Sequence, residues 1–457
     1  MRILLLNPPA DRLVLRDYYC STISKANYIW HPIDLLAQSG WLSRDHEVVV
    51  LDAVAERLAD VEARGRIERA NPDVVFALVS AATWTEDLRL LDGLKQKLGF
   101  KLVLSGEIFL DNPADIMENQ LFIDAALLDF TSRDLQVMVG AGFKPAPTDI
   151  FNMAWRTGKG IEVRREKASD TFAMPVPRHE LFPMERYRMP WQRQHPFATV
   201  MTDFGCPFGC LFCNSRAVGY ATRNIENLRE ELDAIAAAGI RQLFIKDMTF
   251  GAVRRHALEV LNLMIHNNYG FTWNAYTRSD LLDEELVELM ARAGCHLLQI
   301  GVESADERLL EQYGKGVNVE QTRRAFRILK KRGIDAGAHF ILGLPGDTLE
   351  GMRKTVRLAM ELDPVYASFN LAMPRLGASM ESNGWQNLPL NSSGDRPFYR
   401  LDGVSPGDIV EERRRAIRRF YLRPKYWLRA ARSLRTPYQL WDALKQASAI
   451  LQEGVRR

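Results

Sequence analysis

Short apolar runs recur through the first 135 or so residues: MRILLLNPP, EVVVLDAV (Glu47–Val54), PDVVFALVS (Pro72–Ser80), KLVLSGEIF (Lys101–Phe109) and DAALLDF, which ends at Phe130. Near-continuous Val, Ile and Leu predict strands buried on both faces. Between them, as in Asp87–Leu98, apolar residues fall three and four apart and predict helices. This alternation predicts a doubly wound parallel sheet. Ligands of such sheets sit beyond the carboxyl ends of the strands, here Asn7, Ser80–Thr85, Ser105–Glu107 and Asp129–Ser132. The stretch Asp11–Trp30 is a long aromatic insertion after the first strand, of the length used for lids and contact surfaces.

From about Gly140 to His195 the pattern weakens among prolines (Pro145 to Pro190), Trp, Tyr and Arg, which predicts a linker packed against its neighbours. A second series follows. Strands are predicted at Ala198–Asp203, Gln242–Asp247, Thr272–Tyr276, Leu297–Gly301, Ala336–Leu342 and Tyr366–Ala372. Helices are predicted between them at Ile225–Ala238, Arg254–Asn267, Asp283–Ala293, Val319–Arg332 and Leu349–Leu362. Six strands with returning helices predict a partial parallel (β/α)6 barrel whose site lies at the carboxyl ends of its strands. The last part is basic: Arg413 to Lys445 holds eleven Lys or Arg against one acid, Asp442, interleaved with Phe, Tyr and Trp. The chain is thus expected to divide into an α/β sheet domain (1–139), a Pro-rich linker (140–195), the barrel (196–380) and a helical C-terminal cap (381–457).

Composition adds limits. The apolar fraction of 47% and charged fraction of 26% are those of an ordinary soluble protein. Sixty Lys and Arg against 57 Asp and Glu give no global field for nucleic acid, and none is expected as a partner. The longest apolar runs, such as Phe340–Leu344, are too short to span a bilayer. The N-terminus lacks a signal-peptide core and cleavage site, so a cytoplasmic location is expected. Five cysteines, an odd number, speak against a disulfide framework. Three of them, Cys206, Cys210 and Cys213, fall within one short loop.

That loop reads TDFGCPFGCLFCNSR, Thr202 to Arg216. Thiolates so spaced can converge on three corners of a cubane, with Gly205 and Gly209 letting the backbone turn around it. Ordinary electron-transfer clusters take four cysteines; three with no fourth nearby leave one iron open. The competing zinc knuckle needs a fourth Cys or His. Cys295 and His296 are candidates by type only, at the start of a later predicted strand.

A CxxxCxxC loop with an aromatic, Phe212, before its last cysteine, placed after the first strand of a partial barrel, resembles the radical S-adenosylmethionine (radical SAM) superfamily. The resemblance covers roughly Ala198 to Pro374. It implies a 4Fe–4S cluster on Cys206, Cys210 and Cys213 whose open iron is chelated by S-adenosylmethionine. One-electron cleavage would give a 5′-deoxyadenosyl radical, with flavodoxin or ferredoxin as electron donor. It further implies that Asp247 in LFIKDMTF meets the methionine amino group and that Glu303 in QIGVESAD meets the ribose diol, a pairing that suits carboxylate acceptors. Arg278 in YTRSD matches a frequent Arg at the third strand end, and HFILGLPGDT (His339–Thr348) the adenine segment.

The first domain resembles the cobalamin-binding domain of the cobalamin-dependent branch through NPP, PDVVFALVSAATW and LSGE. Small residues, among them Ser80, Thr83, Ser105 and Gly106, imply room for a corrin. The Asp-x-His-x-x-Gly pattern that gives cobalt a histidine is absent, which implies cobalamin without protein histidine ligation. LSGEIF departs from the usual turn and leaves a purely supporting flavodoxin-like domain as the alternative. RRFYLRPKYWL (Arg418–Leu428) resembles a C-terminal segment of the same branch. It is expected to cap the barrel or, being basic and aromatic, to touch an anionic membrane surface. The expected activity is methylation of a weakly activated carbon of a hydrophobic small molecule. The alternative is an oxidative cyclase, hydroxylase or carbon-bond-forming enzyme acting on a lipid or tetrapyrrole. Cys20, Cys295, His31 and His339 are read first as packed side chains.

Overall fold

The computed structural model describes residues 1–433 except 20, 25–26, 145–146, 167–168, 190–191, 376–377 and 379–395. The first apolar runs form strands β1 (Arg2–Asn7), β2 (Glu47–Asp52), β3 (Val74–Leu78), β4 (Lys101–Ser105) and β5 (Ala125–Leu127). They lie parallel in the order β2-β1-β3-β4-β5, a doubly wound order with its switch between β1 and β3. Two antiparallel strands, β6 (Asn152–Thr157) and β7 (Gly160–Arg165), extend that edge. They fall in the stretch expected to be linker. An edge hairpin needs little hydrophobic signal, because β6 contributes only Met153, Ala154 and Trp155 to the core.

Alternate residues of each strand enter opposite layers, as the two-residue side-chain period requires. Leu4, Leu6, Val75, Ala77, Leu102 and Leu104 pack on one face with the helix Trp84–Leu98. Ile3, Leu5, Val74, Phe76 and Val103 pack on the other with the helix Ile33–Leu42. This second layer continues into the next lobe through Phe197, Met201, Phe204 and Phe244.

The second lobe has β8 (Phe197–Val200), an antiparallel pair β9 (Asp203–Gly205) and β10 (Tyr220–Arg223), then β11 (Gln242–Ile245), β12 (Thr272–Thr277), β13 (Cys295–Glu303), β14 (Asp335–Leu342) and β15 (Tyr366–Leu371). Strands β8-β11-β12-β13-β14-β15 form one parallel sheet in that order, the expected partial barrel. Its outward residues share one core with the surrounding helices. Inward, Tyr276, His339 and Tyr366 meet ring to ring at 6.0 and 5.8 Å, and the Tyr366 hydroxyl donates to Gln299 Oε1 at 2.5 Å.

The helix Pro406–Tyr421 begins where the Ser405 side chain accepts from Asp408 N with Pro406 in the first turn. It buries Ile409, Ala416, Ile417 and Phe420 in the barrel's outer core, and its Tyr421 hydroxyl donates to Ala367 O at 2.7 Å. The described part of the expected cap thus packs on the outer face of the last strands, with Ile409 reaching Gly343 just past the end of β14. Among the described residues no helix is long and apolar enough to cross a membrane.

The insertion after β1 folds back over the strand ends of the first sheet and brings a buried charge. Arg16 Nη2 lies 2.6 Å from Asp87 Oδ1 with both side chains fully buried, and Arg16 Nη1 donates to Asn7 Oδ1 at 2.8 Å. Burial pushes Asp87 up to about 6 against the opposing Arg16 charge. Removing one partner strands the other charge. Arg16→Met is expected to lower stability by about 3–5 kcal/mol, read as the denaturant midpoint. Arg16→Met with Asp87→Leu is expected to recover much of that loss.

Candidate active site

The cysteine loop grows from the β9–β10 pair. Gly205 has φ +72°, and a Cβ there would collide with the Gly219 carbonyl, so the pair closes this tightly only with glycine. Cys206 N donates to Gly219 O at 3.2 Å and Cys213 N to Cys210 O at 3.1 Å. Two other parts of the chain hold the loop. Tyr19, from the insertion, accepts Gly205 N at its hydroxyl (3.1 Å) and Asn214 Nδ2 at its carbonyl (2.5 Å). Leu211 N donates to Tyr313 O at 2.9 Å.

Cys210 is buried and Cys206 and Cys213 half-buried. Cys206 Sγ lies 3.4 Å from Thr249 Oγ1 and Cys210 Sγ 3.6 Å from Arg278 Nη1. Burial pushes the Cys206 and Cys210 thiols up, and neighbouring cysteine charges add to the rise. Lys315 and Arg278 oppose it at Cys210. The outer side of the loop borders an open cavity of about 490 Å³ lined by Cys206, Pro207, Phe208, Gly209, Ser215, Gly219 and Tyr220.

The donor set fits a cluster better than one ion. Cys295 and His296 begin β13, whose other end is Glu303. At about 3.3 Å per residue they stand on the order of 26 Å from the strand end that faces the loop. They supply no fourth ligand there: His296 Nε2 meets Gln242 Nε2 at 3.1 Å and Cys295 is buried core. Among the described residues no three Cys, His, Asp or Glu side chains converge as ligands of a single ion. A cubane asks for less convergence, since each thiolate takes a different iron.

The remaining barrel residues named from the sequence gather at the same strand ends. Glu303 ends β13 in a left-handed conformation, φ +64°, where the register with β14 shifts between Gly301 and Glu303. Such strain in a residue with a side chain costs about 1–3 kcal/mol and marks functional positions. Its carboxylate lies over Gly301 and pairs with Lys315 Nζ at 3.0 Å. The Arg278 guanidinium sits 3.9 Å over the Phe208 ring, pairs with Asp280 at 3.0 Å and donates to Lys315 O at 2.5 Å. Phe212 packs beside Tyr313, whose hydroxyl donates to Pro345 O at 2.8 Å, next to Gly343 of the expected adenine segment.

Asp247, expected from the resemblance to meet the methionine amino group, stands beside the entry to the cysteine loop. Fully buried, it accepts Thr202 N (2.7 Å), Thr202 Oγ1 (2.5 Å) and Asp203 N (3.0 Å), which engages both oxygens. It braces the passage from β8 into the cysteine loop. Its neighbour Asp203 is raised far above the usual carboxylate range, by burial first and the Asp247 charge second.

In the first lobe, Ser80, Thr83, Ser105 and Gly106 stand at the ends of β3 and β4 as expected. Their polar groups turn inward: Ser80 Oγ accepts Ala82 N (3.0 Å), Thr83 Oγ1 donates to Asp87 (2.7 Å) and Ser105 Oγ donates to Asp34 (2.8 Å). Gly106 has φ +149° and lies against the Val79 carbonyl with no room for a side chain. These four residues shape a floor at the strand ends of the first sheet. Above it run Tyr18 and Tyr19, and the Ser21 hydroxyl donates to Glu107 at 2.5 Å. Glu107 is pushed up to about 7 by burial. Where the lobes meet, Lys246 Nζ lies 3.2 Å from Asp17 and within 5.1–5.8 Å of the rings of Tyr19, Trp30 and Tyr276. His31 is packed in this layer, its Nδ1 2.8 Å from Thr199 Oγ1. Cys20 lies outside the described residues.

Tyr19, Asp203, Lys246 and Lys315 were not singled out from the sequence. The only signals were an acid three residues before Cys206 and a lysine between two glycines, Gly314 and Gly316.

Anaerobic reconstitution is expected to give four irons and four sulfides per chain. Cys206→Ala, Cys210→Ala and Cys213→Ala should each abolish the cluster, and Cys295→Ala should leave it intact. Iron and sulfide analysis with electron paramagnetic resonance reads this. Loss of the cluster in Cys295→Ala would refute three-cysteine ligation.

Comparison with known proteins agrees with this geometry. Residues 202–359 match the model of the radical SAM superfamily. An uncharacterized methyltransferase of Pyrococcus horikoshii is 26% identical over 441 residues, covering 93% of each chain. The anaerobic magnesium-protoporphyrin IX monomethyl ester cyclase of Rubrivivax gelatinosus is 23% identical over 418 residues, covering 86% of this chain and 74% of its own. Among solved structures, the radical S-adenosylmethionine methyltransferase TsrM from Kitasatospora setae, with cobalamin and a 4Fe–4S cluster bound, superposes with a TM-score of 0.65 at 19% identity. That match covers 83% of this chain and 76% of TsrM. Residues 202–359 thus match the radical SAM superfamily, and the chain shares the fold of TsrM.

Proposed function

We propose that this protein is a cobalamin-dependent radical SAM enzyme that methylates a weakly activated carbon of a small molecule in the cytoplasm. One observation carries the reading. Tyr19, lying over the strand ends of the first sheet, bonds Gly205 and Asn214 on either side of the three cysteines. The carboxyl ends of both sheets therefore meet at the cysteine loop.

Cys206, Cys210 and Cys213 would hold the cluster. The cluster with S-adenosylmethionine supplies one-electron cleavage to a carbon radical, and cobalamin, when bound, supplies a transferable methyl group. The chain's own residues hold these groups and shut out water. Glu303 stands at the strand end where a ribose acceptor is needed. Phe212, beside Tyr313, closes the apolar side of the loop. Ser80, Thr83, Ser105 and Gly106 lie at the first sheet's strand ends, the side on which a corrin would bind. Contact with its rim would fall to the backbone and to Tyr18, Tyr19 and Ser21. Inside the barrel, Tyr276, Gln299, His339, Tyr366 and Ser368 pair aromatic area with polar tips. They suit a substrate that brings ring surface together with hydrogen-bonding groups, more than a bare hydrocarbon.

An external one-electron donor of the flavodoxin or ferredoxin type is part of this proposal, since the outer edge of the loop is open at Pro207, Gly209 and Gly219. So is peripheral contact with an anionic membrane, supported by exposed Leu422, Trp427 and Leu428 beside Arg419 and Lys425. A second reading, oxidative cyclisation, draws on the magnesium-protoporphyrin cyclase relative.

Substrate turnover separates the two. Methylation should yield S-adenosylhomocysteine and 5′-deoxyadenosine in equal amounts, with label from deuterated-methyl S-adenosylmethionine in the product. 5′-Deoxyadenosine formed alone, with unlabelled product, would overturn methyl transfer and favour cyclisation.

A further inference from the structure

Outside the ligands themselves, the strongest feature near the thiols is a pair of buried cations, Arg278 and Lys315. Arg278 ends β12 in a position where it is nearly buried, 5% exposed. All three of its nitrogens are engaged: Nε and Nη2 with Asp280 at 3.0 Å each, Nη2 also with Lys315 O at 2.5 Å, and Nη1 with Cys210 Sγ at 3.6 Å. Its flat face lies 3.9 Å from the Phe208 ring, inside the cysteine loop. A guanidinium fixed on four sides by protein groups holds one orientation. It is aimed at a sulfur.

The turn Tyr313–Gly316 is its mount. Gly314 and Gly316 both take positive φ, +63° and +65°, and bracket Lys315. Tyr313 O accepts Leu211 N of the cysteine loop at 2.9 Å, and a Cβ on Gly314 would lie 3.4 Å from Gly209 O. The Lys315 carbonyl orients Arg278, while its ammonium neutralises Glu303 at 3.0 Å. One short turn thus supports the loop, aims the guanidinium and balances the nearest carboxylate.

We propose that Arg278, held by this turn, sets the reduction potential of the cluster through Cys210. Accepting one electron adds a negative charge to the cluster and its thiolates. An N–H donor and a fixed positive charge at a thiolate stabilise the reduced form more than the oxidised one and raise the potential. Lys315 acts with it by cancelling Glu303, whose bare charge would lower the potential. Both are positioning residues. The inference rests on Cys206, Cys210 and Cys213 holding a 4Fe–4S cluster and is independent of methyl transfer.

Spectroelectrochemical titration of the reconstituted full-length chain, without S-adenosylmethionine or substrate, tests it. Arg278→Gln is expected to keep four irons and four sulfides. At the wild-type midpoint its ratio of reduced to oxidised cluster should fall about tenfold, which is about 59 mV for one electron. Arg278→Lys, keeping the charge without the planar stacked donor, should fall between. Lys315→Met should shift the same way by less, and Lys315→Arg should restore the wild-type value. Wild-type midpoints in Arg278→Gln and Lys315→Met, with full cluster content, would overturn the proposal. If Arg278→Gln fails to assemble the cluster, Lys315→Met decides alone: a lowered midpoint supports the proposal and an unchanged one refutes it. A wild-type chain holding fewer than four irons would instead refute the cluster reading itself.

Discussion

The active site hangs on one buried carboxylate. Asp247 lies at the end of β11 and takes three hydrogen bonds from Thr202 and Asp203, the residues through which β8 becomes the cysteine loop. A carboxylate without water must be satisfied, and here backbone N–H groups do most of it. The arrangement fixes where the parallel sheet releases the chain. Three residues later stands Cys206. The direction of the loop, and so the place where three thiols gather, follows from that brace together with the tight Gly205–Gly219 approach.

Around the brace the chain also buries several charges in pairs. Arg16 meets Asp87, Lys246 meets Asp17, Lys315 meets Glu303, Arg278 meets Asp280 and Arg223 meets Glu231. Every one of these pairs lies at or next to the ends of strands that face the junction of the lobes. Such pairs contribute little net stability, because desolvating two ions offsets most of their attraction. Their physical effect is to fix orientation: a pair that is costly to break allows only one arrangement of the segments carrying it. Two of them tie the Asp11–Trp30 insertion down, Arg16 to the first lobe and Asp17 to the barrel.

The alternating elements were legible because buried parallel strands need uninterrupted apolar runs, and the five barrel helices from Ile225 to Leu362 lie within about a residue of where periodicity puts them. The cysteine loop was legible because its spacing is itself the chemistry. The edge strands β6 and β7 were not, since a half-exposed hairpin needs few apolar residues. Asp247 and the hydroxyls of Thr83 and Ser105 were placed at the right strand ends, but their engagement with internal partners depends on which segment folds across them. Arg16 and Tyr19 of the insertion likewise reach partners 71 and 186 residues away, Asp87 and Gly205. Lys315 escaped notice for the same reason: a lysine on a glycine turn has no visible role until β13 and the cysteine loop are brought beside it.

The first lobe is more than a support for the barrel. If it only propped up the second lobe, an apolar contact would suffice, and the shared layer of Phe130, Phe204, Phe244 and their neighbours would complete the interface. Instead the insertion carries polar groups across it to the atoms that shape the loop. The Tyr19 hydroxyl accepts from the residue before Cys206, and its carbonyl takes the side chain of the residue after Cys213. Tyr18 beside it donates from its hydroxyl to Leu128 O at the end of β5. Two adjacent tyrosines therefore connect the strand ends of one sheet to the thiols on the other through hydrogen bonds at fixed distances. The position of the cysteine loop is thereby tied to the strand ends of the first lobe. This is the arrangement needed when chemistry begun on one set of strand ends must be completed on the other.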